Sequence, residues 1–321
     1  MQVVPKQEGF AKIWRKIKKE IYRIPGNISQ KSKSIKCGIY HGINNFIGNC
    51  YSLAGRETVR TYWYDGEINF GDLIGPELLR ANGIYPIFRT RDSLNLEFVS
   101  VGSILDKLPN DYSGIIFGSG FIEGDTSKTF PHAKILAVRG KLTREKLGTG
   151  DNTALGDPGL IFCDIMSHRK SKKFELGLVA HFIDKKDLRV LQLRERLKDQ
   201  VFFIDVQRKA IDVAMDIDQC KAILSSSLHG CIVADSLHIP NARVVFNTLR
   251  GGEYKFDDYY SVFDERREAT HLYGNETLDD LLKLPIPTPK TVTILQARLR
   301  EIIARIPEQL QYNRERQSRC K

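Results

Sequence analysis

Six cysteines, at positions 37, 50, 163, 220, 231 and 320, form neither a CxxC pair nor the Cys/His spacing of a metal site. Neither a zinc centre nor a disulfide framework is suggested, and a reducing cytoplasm fits best. No stretch approaches the roughly 20 apolar residues of a membrane span, and the amino terminus lacks the uninterrupted apolar core of a signal peptide. There is no GxxxxGK[ST] loop, no glycine-rich dinucleotide fingerprint and no nucleophile elbow with Ser-His-Asp order. These absences weigh against P-loop hydrolysis, hydride transfer and serine-nucleophile chemistry. No internal repeat is evident.

What is present is a soluble globular composition, 41% hydrophobic and 27% charged. At 321 residues the chain is long enough for two domains. The net charge of +10 sits at the ends: residues 1–36 carry ten Lys/Arg against Glu8 and Glu20, and residues 295–321 carry seven against three acids. The body between them is slightly acidic, so it offers no basic groove for nucleic acid. Phe10, Ile13, Trp14, Ile17, Ile21 and Ile24 recur at helical spacing among Lys12, Arg15, Lys16, Lys18 and Lys19. The pattern predicts a basic amphipathic helix over 10–24, suited to an anionic membrane surface or, equally, to packing on the body of the protein. Pro25-Gly26 ends it, and Asn27 to Lys36 reads as a linker.

From Thr58 onward, short apolar runs alternate with helical stretches, the signature of βα units and parallel sheets. The predicted strands are 58–64, 84–88, 97–101, 113–118 and 133–138, then, after a polar run, 174–180, 201–205, 221–225 and 242–246. Helices are expected near 72–82, 140–147, 187–198, 209–219 and 229–238, with one long terminal helix over 288–311. The expected organisation is residues 1–57 as helix and linker, 58–165 and 166–285 as two Rossmann-like α/β domains, and 286–321 as a terminal helix and basic tail. Open α/β sheets bind ligands at the carboxyl ends of their strands, which places a site in a cleft between the domains.

Polar groups gather at those strand ends. Ala222-Ile223-Leu224 drives into Ser225-Ser226-Ser227-Leu228-His229-Gly230, where a helical pattern restarts. Free amides and the positive end of the helix dipole suit an anion there, although serines are also ordinary N-caps. Arg139 follows the strand Ala137-Val138 and offers a fork for carboxylate or phosphate; a surface arginine is the ordinary alternative. His181 ends another strand, where a histidine satisfied at a sheet edge is common. Gly118-Ser119-Gly120 allows close backbone approach, or is a plain turn. Asn69 and Asp72 open a helix, Asp72 as candidate cap, and Lys255, Asp258 and Tyr259 combine a cation with polar and aromatic groups. Together these residues suit a small anionic substrate.

The segments NFGD (69–72), FGSG (117–120), AVRGKLTR (137–144), LGDPGL (155–160), VAHFID (179–184), SSSLHG (225–230), IVADSLHIP (232–240) and KFDDYY (255–260) occur in order over roughly residues 58 to 265. In that sequence and spacing the chain resembles the polysaccharide pyruvyltransferase family, in its exopolysaccharide ketal-pyruvate branch. The resemblance implies a GT-B-like pair of domains, phosphoenolpyruvate as donor and co-substrate, and a sugar on a lipid-linked repeat unit as acceptor. The products would be a cyclic pyruvate ketal and free phosphate. It also implies that Leu228 and His229 contact the donor and that Arg139 grips it. Many members carry arginine immediately before that leucine, where this chain has Ser227.

Ketal formation from an enol ether needs a proton on the methylene carbon, and histidine is the natural general acid near neutral pH. His229 is expected in that role. Ser226, Ser227, Arg139, His181 and Lys255 would answer the donor's charge, about −3 at pH 7. Asn69, Asp72, Gly118, Ser119, Gly120, Asp258 and Tyr259 would line the cleft. Neither a metal nor another cofactor is required by this scheme. A nucleotide-sugar glycosyltransferase of the same architecture and a non-catalytic membrane-associated binding protein are the alternatives. The expected location is cytoplasmic, peripheral on the inner face of the membrane if residues 10–24 dock there.

Overall fold

The computed structural model describes residues 30–319, apart from 126, 168–169 and 248–251. The expected amphipathic helix over 10–24 lies outside those residues. The apolar runs form two parallel sheets. The first contains β1 (Thr58–Tyr62), β2 (Tyr85–Phe88), β3 (Phe98–Ser100), β4 (Ile115–Phe117), β5 (Lys134–Val138) and β6 (Ala154–Leu155), in the order β2-β1-β3-β4-β5-β6. The second contains β7 (Phe174–Ala180), β8 (Val201–Asp205), β9 (Cys220–Ser225), β10 (Asn241–Val245) and β11 (Thr270–His271), in the order β11-β10-β9-β7-β8. All pairings between these strands are parallel.

Counted from its own first strand, each sheet has the doubly wound order 2-1-3-4-5, with a sixth strand added to the first sheet. This is consistent with two Rossmann-like domains. The chain reverses its winding between β1 and β3 and again between β7 and β9, and such reversals open crevices at the carboxyl ends of the strands.

The helices are α1 (Gln30–Leu53), α2 (Phe70–Ala81), α3 (Lys141–Lys146), α4 (Leu188–Leu197), α5 (Ala210–Asp218), α6 (Leu228–Ser236), α7 (Tyr254–Tyr260), α8 (Leu278–Leu282), α9 (Thr291–Ala304) and α10 (Ile306–Arg319). β3 and β4 are buried at every residue, as expected of strands covered on both faces. One apolar cluster runs from Val59, Val99 and Ile116 through Phe70 and Ile74 of α2, Val213 of α5 and Ile232 of α6 to Val179 and Ile223. The facing sides of the two sheets therefore share a core. Leu178, Leu193, Leu224 and Val244 belong to a separate cluster on the second sheet.

Two elements differ from the sequence expectation. The presumed linker up to Lys36 runs into α1, which starts at Gln30. Tertiary packing outweighs the weak propensity contributed by Gly38, Gly42 and Gly48: Tyr40, His41 and Asn44 are buried, and the His41 ring stacks 3.7 Å from that of Phe88 on the edge strand β2. The single terminal helix is instead two, α9 and α10, interrupted at Arg305. Pro307 has no amide to donate and its ring would clash with the carbonyl four residues back. α9 bridges the halves, Gln296 Nε2 donating to the carbonyls of Leu160 (2.8 Å) and Ser236 (3.1 Å). α10 returns to the first sheet, where Arg314 bonds Glu97 at 2.7 Å, Glu57 at 2.9 Å and the Thr58 carbonyl at 2.6 Å. Burial pushes the Glu97 carboxyl up, but hydrogen bonds from Arg60 and Arg314 prevail and hold it below its ordinary value.

Candidate functional site

The two winding reversals contribute to one pocket of about 170 Å³. Tyr64 and Asn69 follow β1, Ser103 and Ile104 follow β3, His181, Phe182 and Ile183 follow β7, and Ser227, Leu228 and His229 follow β9; all line it. Asp72 of α2, Lys107, Ile122 and Lys255 of α7 complete the wall. The structure thus brings together Asn69, Asp72, His181, Ser227, Leu228, His229 and Lys255, which the sequence singles out.

The β9–α6 junction is held rigidly from below. Ser225 Oγ accepts from the Ser227 amide at 3.0 Å, and Ser226 Oγ accepts from the His181 amide at 2.9 Å while donating to Asp184 Oδ2 at 2.6 Å. Ser226 is buried and spent on this tie between the ends of β7 and β9, so it does not line the pocket. Ser227 occupies the N-cap position without a side-chain cap bond. Helix geometry leaves the first amides of α6 without intrahelical acceptors, so an anion in the pocket could receive them.

His229 is 7% exposed and its Nε2 lies 3.8 Å from Asp157 Oδ2. Burial, then Arg139, Lys255 and His181, lower the imidazole to about 3. His181 is likewise lowered to about 3, by burial and then by Lys255. Both values favour the neutral ring at pH 7. Lys255 is brought down to about 8, chiefly by burial and then by Arg139 and Arg243. Burial drives the Asp72 carboxyl up to about 6, against the hydrogen bond from Asn69 (3.0 Å) and the charges of Lys107 and Lys255. Lys107 Nζ sits 3.8 Å from the centre of the Tyr64 ring. An anion would relieve the repulsion among these cations and favour protonation of the two imidazoles.

Arg139 is placed differently from the expectation. It is fully buried, Nε paired with Asp258 Oδ2 at 2.8 Å, one terminal nitrogen donating to Ser103 Oγ and the other to the Phe121 carbonyl at 2.6 Å. With every guanidinium nitrogen occupied, it does not line the pocket and acts there through its charge and through Ser103. Asp258 is equally buried, accepting also from the Thr143 amide and hydroxyl, each at 2.7 Å. Tyr259 is buried with its hydroxyl donating to Asp235 at 2.8 Å. Gly118, Ser119 and Gly120 lie behind the wall: the Ser119 carbonyl accepts from the Arg139 amide, and a Cβ at Gly120 would come within 2.4 Å of the guanidinium carbon. These five residues, with Arg139, build the scaffold of the site and not its surface.

Tyr64, Ser103, Ile104, Lys107, Ile122, Phe182 and Ile183 line the pocket without having been selected from the sequence. Ser103 was within reach, since it follows β3 as His181 follows β7. Lys107 carried no signal of its own. Among the described residues no group of three or more His, Cys, Asp or Glu is arranged to hold a metal ion, and no helix is long and apolar enough to cross a membrane.

The family described as "Polysaccharide pyruvyl transferase" matches residues 52–245. A protein of Acanthamoeba polyphaga mimivirus is 30% identical over 249 residues, covering 72% of this chain and 85% of its own length. The succinoglycan biosynthesis protein ExoV of Rhizobium meliloti (strain 1021) is 30% identical over 190 residues, covering 56% of this chain and 57% of its own. A crystal structure from Klebsiella pneumoniae superposes with a TM-score of 0.40 at 14% identity, over 71% of this chain and 96% of that one.

Proposed function

The chain belongs to the polysaccharide pyruvyl transferase family and is a pyruvyltransferase, and from that premise we propose that it takes pyruvate from phosphoenolpyruvate and sets it on a sugar as a cyclic ketal. The observation that carries this reading is the placement of Lys107 beside one winding reversal and of His181, His229 and Lys255 beside the other, all around one pocket. A trianionic donor supplies the negative charge against which Lys107 and Lys255 pair and His181 and His229 take up protons.

The chain's residues divide the work as follows. Lys107, Lys255, His181 and the first amides of α6 hold the donor's carboxylate and phosphate. His229, made basic by the donor's charge, protonates the methylene carbon, and C2 becomes the electrophile for a sugar hydroxyl. The C2–O bond to phosphate then breaks and a second hydroxyl closes the ring. One of the two hydroxyl protons returns to His229 and the other leaves with phosphate, so the enzyme ends as it began. We read the two facing layers as GT-B-like, the acceptor as lipid-linked, and residues 10–24 as a dock on the cytoplasmic face of the membrane.

The test is phosphate release from phosphoenolpyruvate by the purified protein supplied with lipid-linked oligosaccharide. His229→Gln should lower turnover at least about 10²-fold while thermal stabilisation by phosphoenolpyruvate persists. Binding of a nucleotide sugar in place of phosphoenolpyruvate would replace this reading with a glycosyltransferase. Donor binding with no turnover on any acceptor would leave a non-catalytic binding protein.

A further inference from the structure

Asp157 lies in the turn after β6, at the head of the 3-10 segment Pro158–Ile165. It is fully buried, and its two carboxylate oxygens differ sharply. Oδ1 accepts from the Gly159 amide at 2.8 Å, which fixes the orientation of the carboxylate. The Gly102 amide also acts on this carboxylate; Oδ2 has no partner at ordinary hydrogen-bond distance, and neither has His229 Nε2, 3.8 Å away. An acceptor and a nitrogen that can donate thus face each other in the wall of the pocket. Buried polar atoms are rarely left so, and a catalytic role is one of the reasons for which they are.

On the other side of the ring, α2 comes close enough that a Cβ at Gly71 would lie 2.2 Å from His229 Nδ1. Gly71 thus leaves room for the ring edge that bears Nδ1, on the side of α2 and the pocket.

We infer that Asp157 is the positioning partner of His229, holding Nε2–H so that Nδ1 is the nitrogen that exchanges a proton with the donor. The inference rests on the reading of this pocket as the donor site. Hydrogen bonds of this kind are often long in a ligand-free site and tighten when the substrate is bound. Burial, then Arg139, Lys255 and His181, oppose the imidazolium; burial, and less strongly Asp258, oppose the Asp157 carboxylate, while the Gly159 and Gly102 amides and Arg139 favour it. The donor's negative charge tips this balance, and the pair takes up a proton as a unit.

Nitrogen-15 NMR of the full-length, ligand-free protein reads the tautomer of His229 directly. The Nε2–H form is expected; the Nδ1–H form would overturn the assignment, and this holds even where variants fail to fold. In Asp157→Asn, turnover should fall at least about 10²-fold with the KM for phosphoenolpyruvate within about threefold, because the ring loses its acceptor while the donor contacts remain. Turnover within threefold of the parent would overturn the inference, and so would a loss confined to stability or KM. If the parent protein neither binds phosphoenolpyruvate nor releases phosphate, the functional reading fails by itself, and the tautomer still decides the pairing.

Discussion

Replacing Asp258 by asparagine should cost about 3–5 kcal/mol of folding stability, the usual consequence of removing one member of a buried ion pair. The magnitude follows from the surroundings. Both side chains of the Arg139–Asp258 pair are wholly inaccessible, so water cannot solvate the charge left behind. The Thr143 amide and hydroxyl, which both donate to Asp258, would share a weaker acceptor. Equilibrium urea unfolding followed by circular dichroism measures the loss. The double replacement Arg139→Met with Asp258→Leu removes both charges together with their desolvation, and should be more stable than Asp258→Asn alone. A single-variant loss below about 1 kcal/mol, the scale of an exposed pair, would refute the view that this buried pair is part of the scaffold of the site. A double variant no better than the single one would refute the argument from desolvation.

Protonation of His229 gives a pH-dependent counterpart. Its folded value of about 3 lies below the ordinary 6.5, so its contribution to stability is full above that ordinary value and is lost as pH falls toward 3. Between pH 7.5 and pH 5 the loss is about 2 kcal/mol, and His229→Gln should be less acid-sensitive by that amount in urea unfolding at the two pH values; equal sensitivity would contradict it. Gly71→Ala improves helix propensity but sets a Cβ 2.2 Å from His229 Nδ1. Turnover should drop at least about tenfold, at a stability cost of about 1–3 kcal/mol for the overpacked contact, and normal turnover would show that the ring has room to move. Deleting residues 1–36 should release the protein from anionic vesicles while sparing turnover of a soluble acceptor; vesicle binding unaffected by the deletion would rule out docking through that segment.

The buried strands were legible because a doubly covered strand must be written as an unbroken apolar run, as in Ile115–Phe117. The β9–α6 junction was legible for a related reason: serines and a histidine interrupt an apolar pattern where a strand becomes a helix. Arg139 shows the limit. Its place after a strand points to the site correctly, but whether it faces the pocket depends on Asp258, a partner 119 positions away that only the folded chain brings near. Lys107 and Ile122 reach the pocket through the path of loops, which no local spacing encodes. The break before α10 was written in Pro307, where helical periodicity on both sides obscured it. α1 was obscured by its glycines, because its helix depends on the surface it packs against.

The return of α10 to the first sheet gives synthesis on the ribosome a particular order of events. Ile306 and Leu310 complete a core begun more than two hundred residues earlier, and Arg314 joins the carbonyl of Thr58 and the carboxylates of Glu57 and Glu97 near the start of β1. The amino-terminal layer therefore emerges from the exit tunnel with part of its apolar surface uncovered, Glu57 without its arginine and Glu97 held by Arg60 alone, and it stays so until α10 has been made. Contacts of such long range form late and slowly. A premature stop that spares every pocket residue would still leave an uncovered apolar layer, and such layers are prone to aggregate.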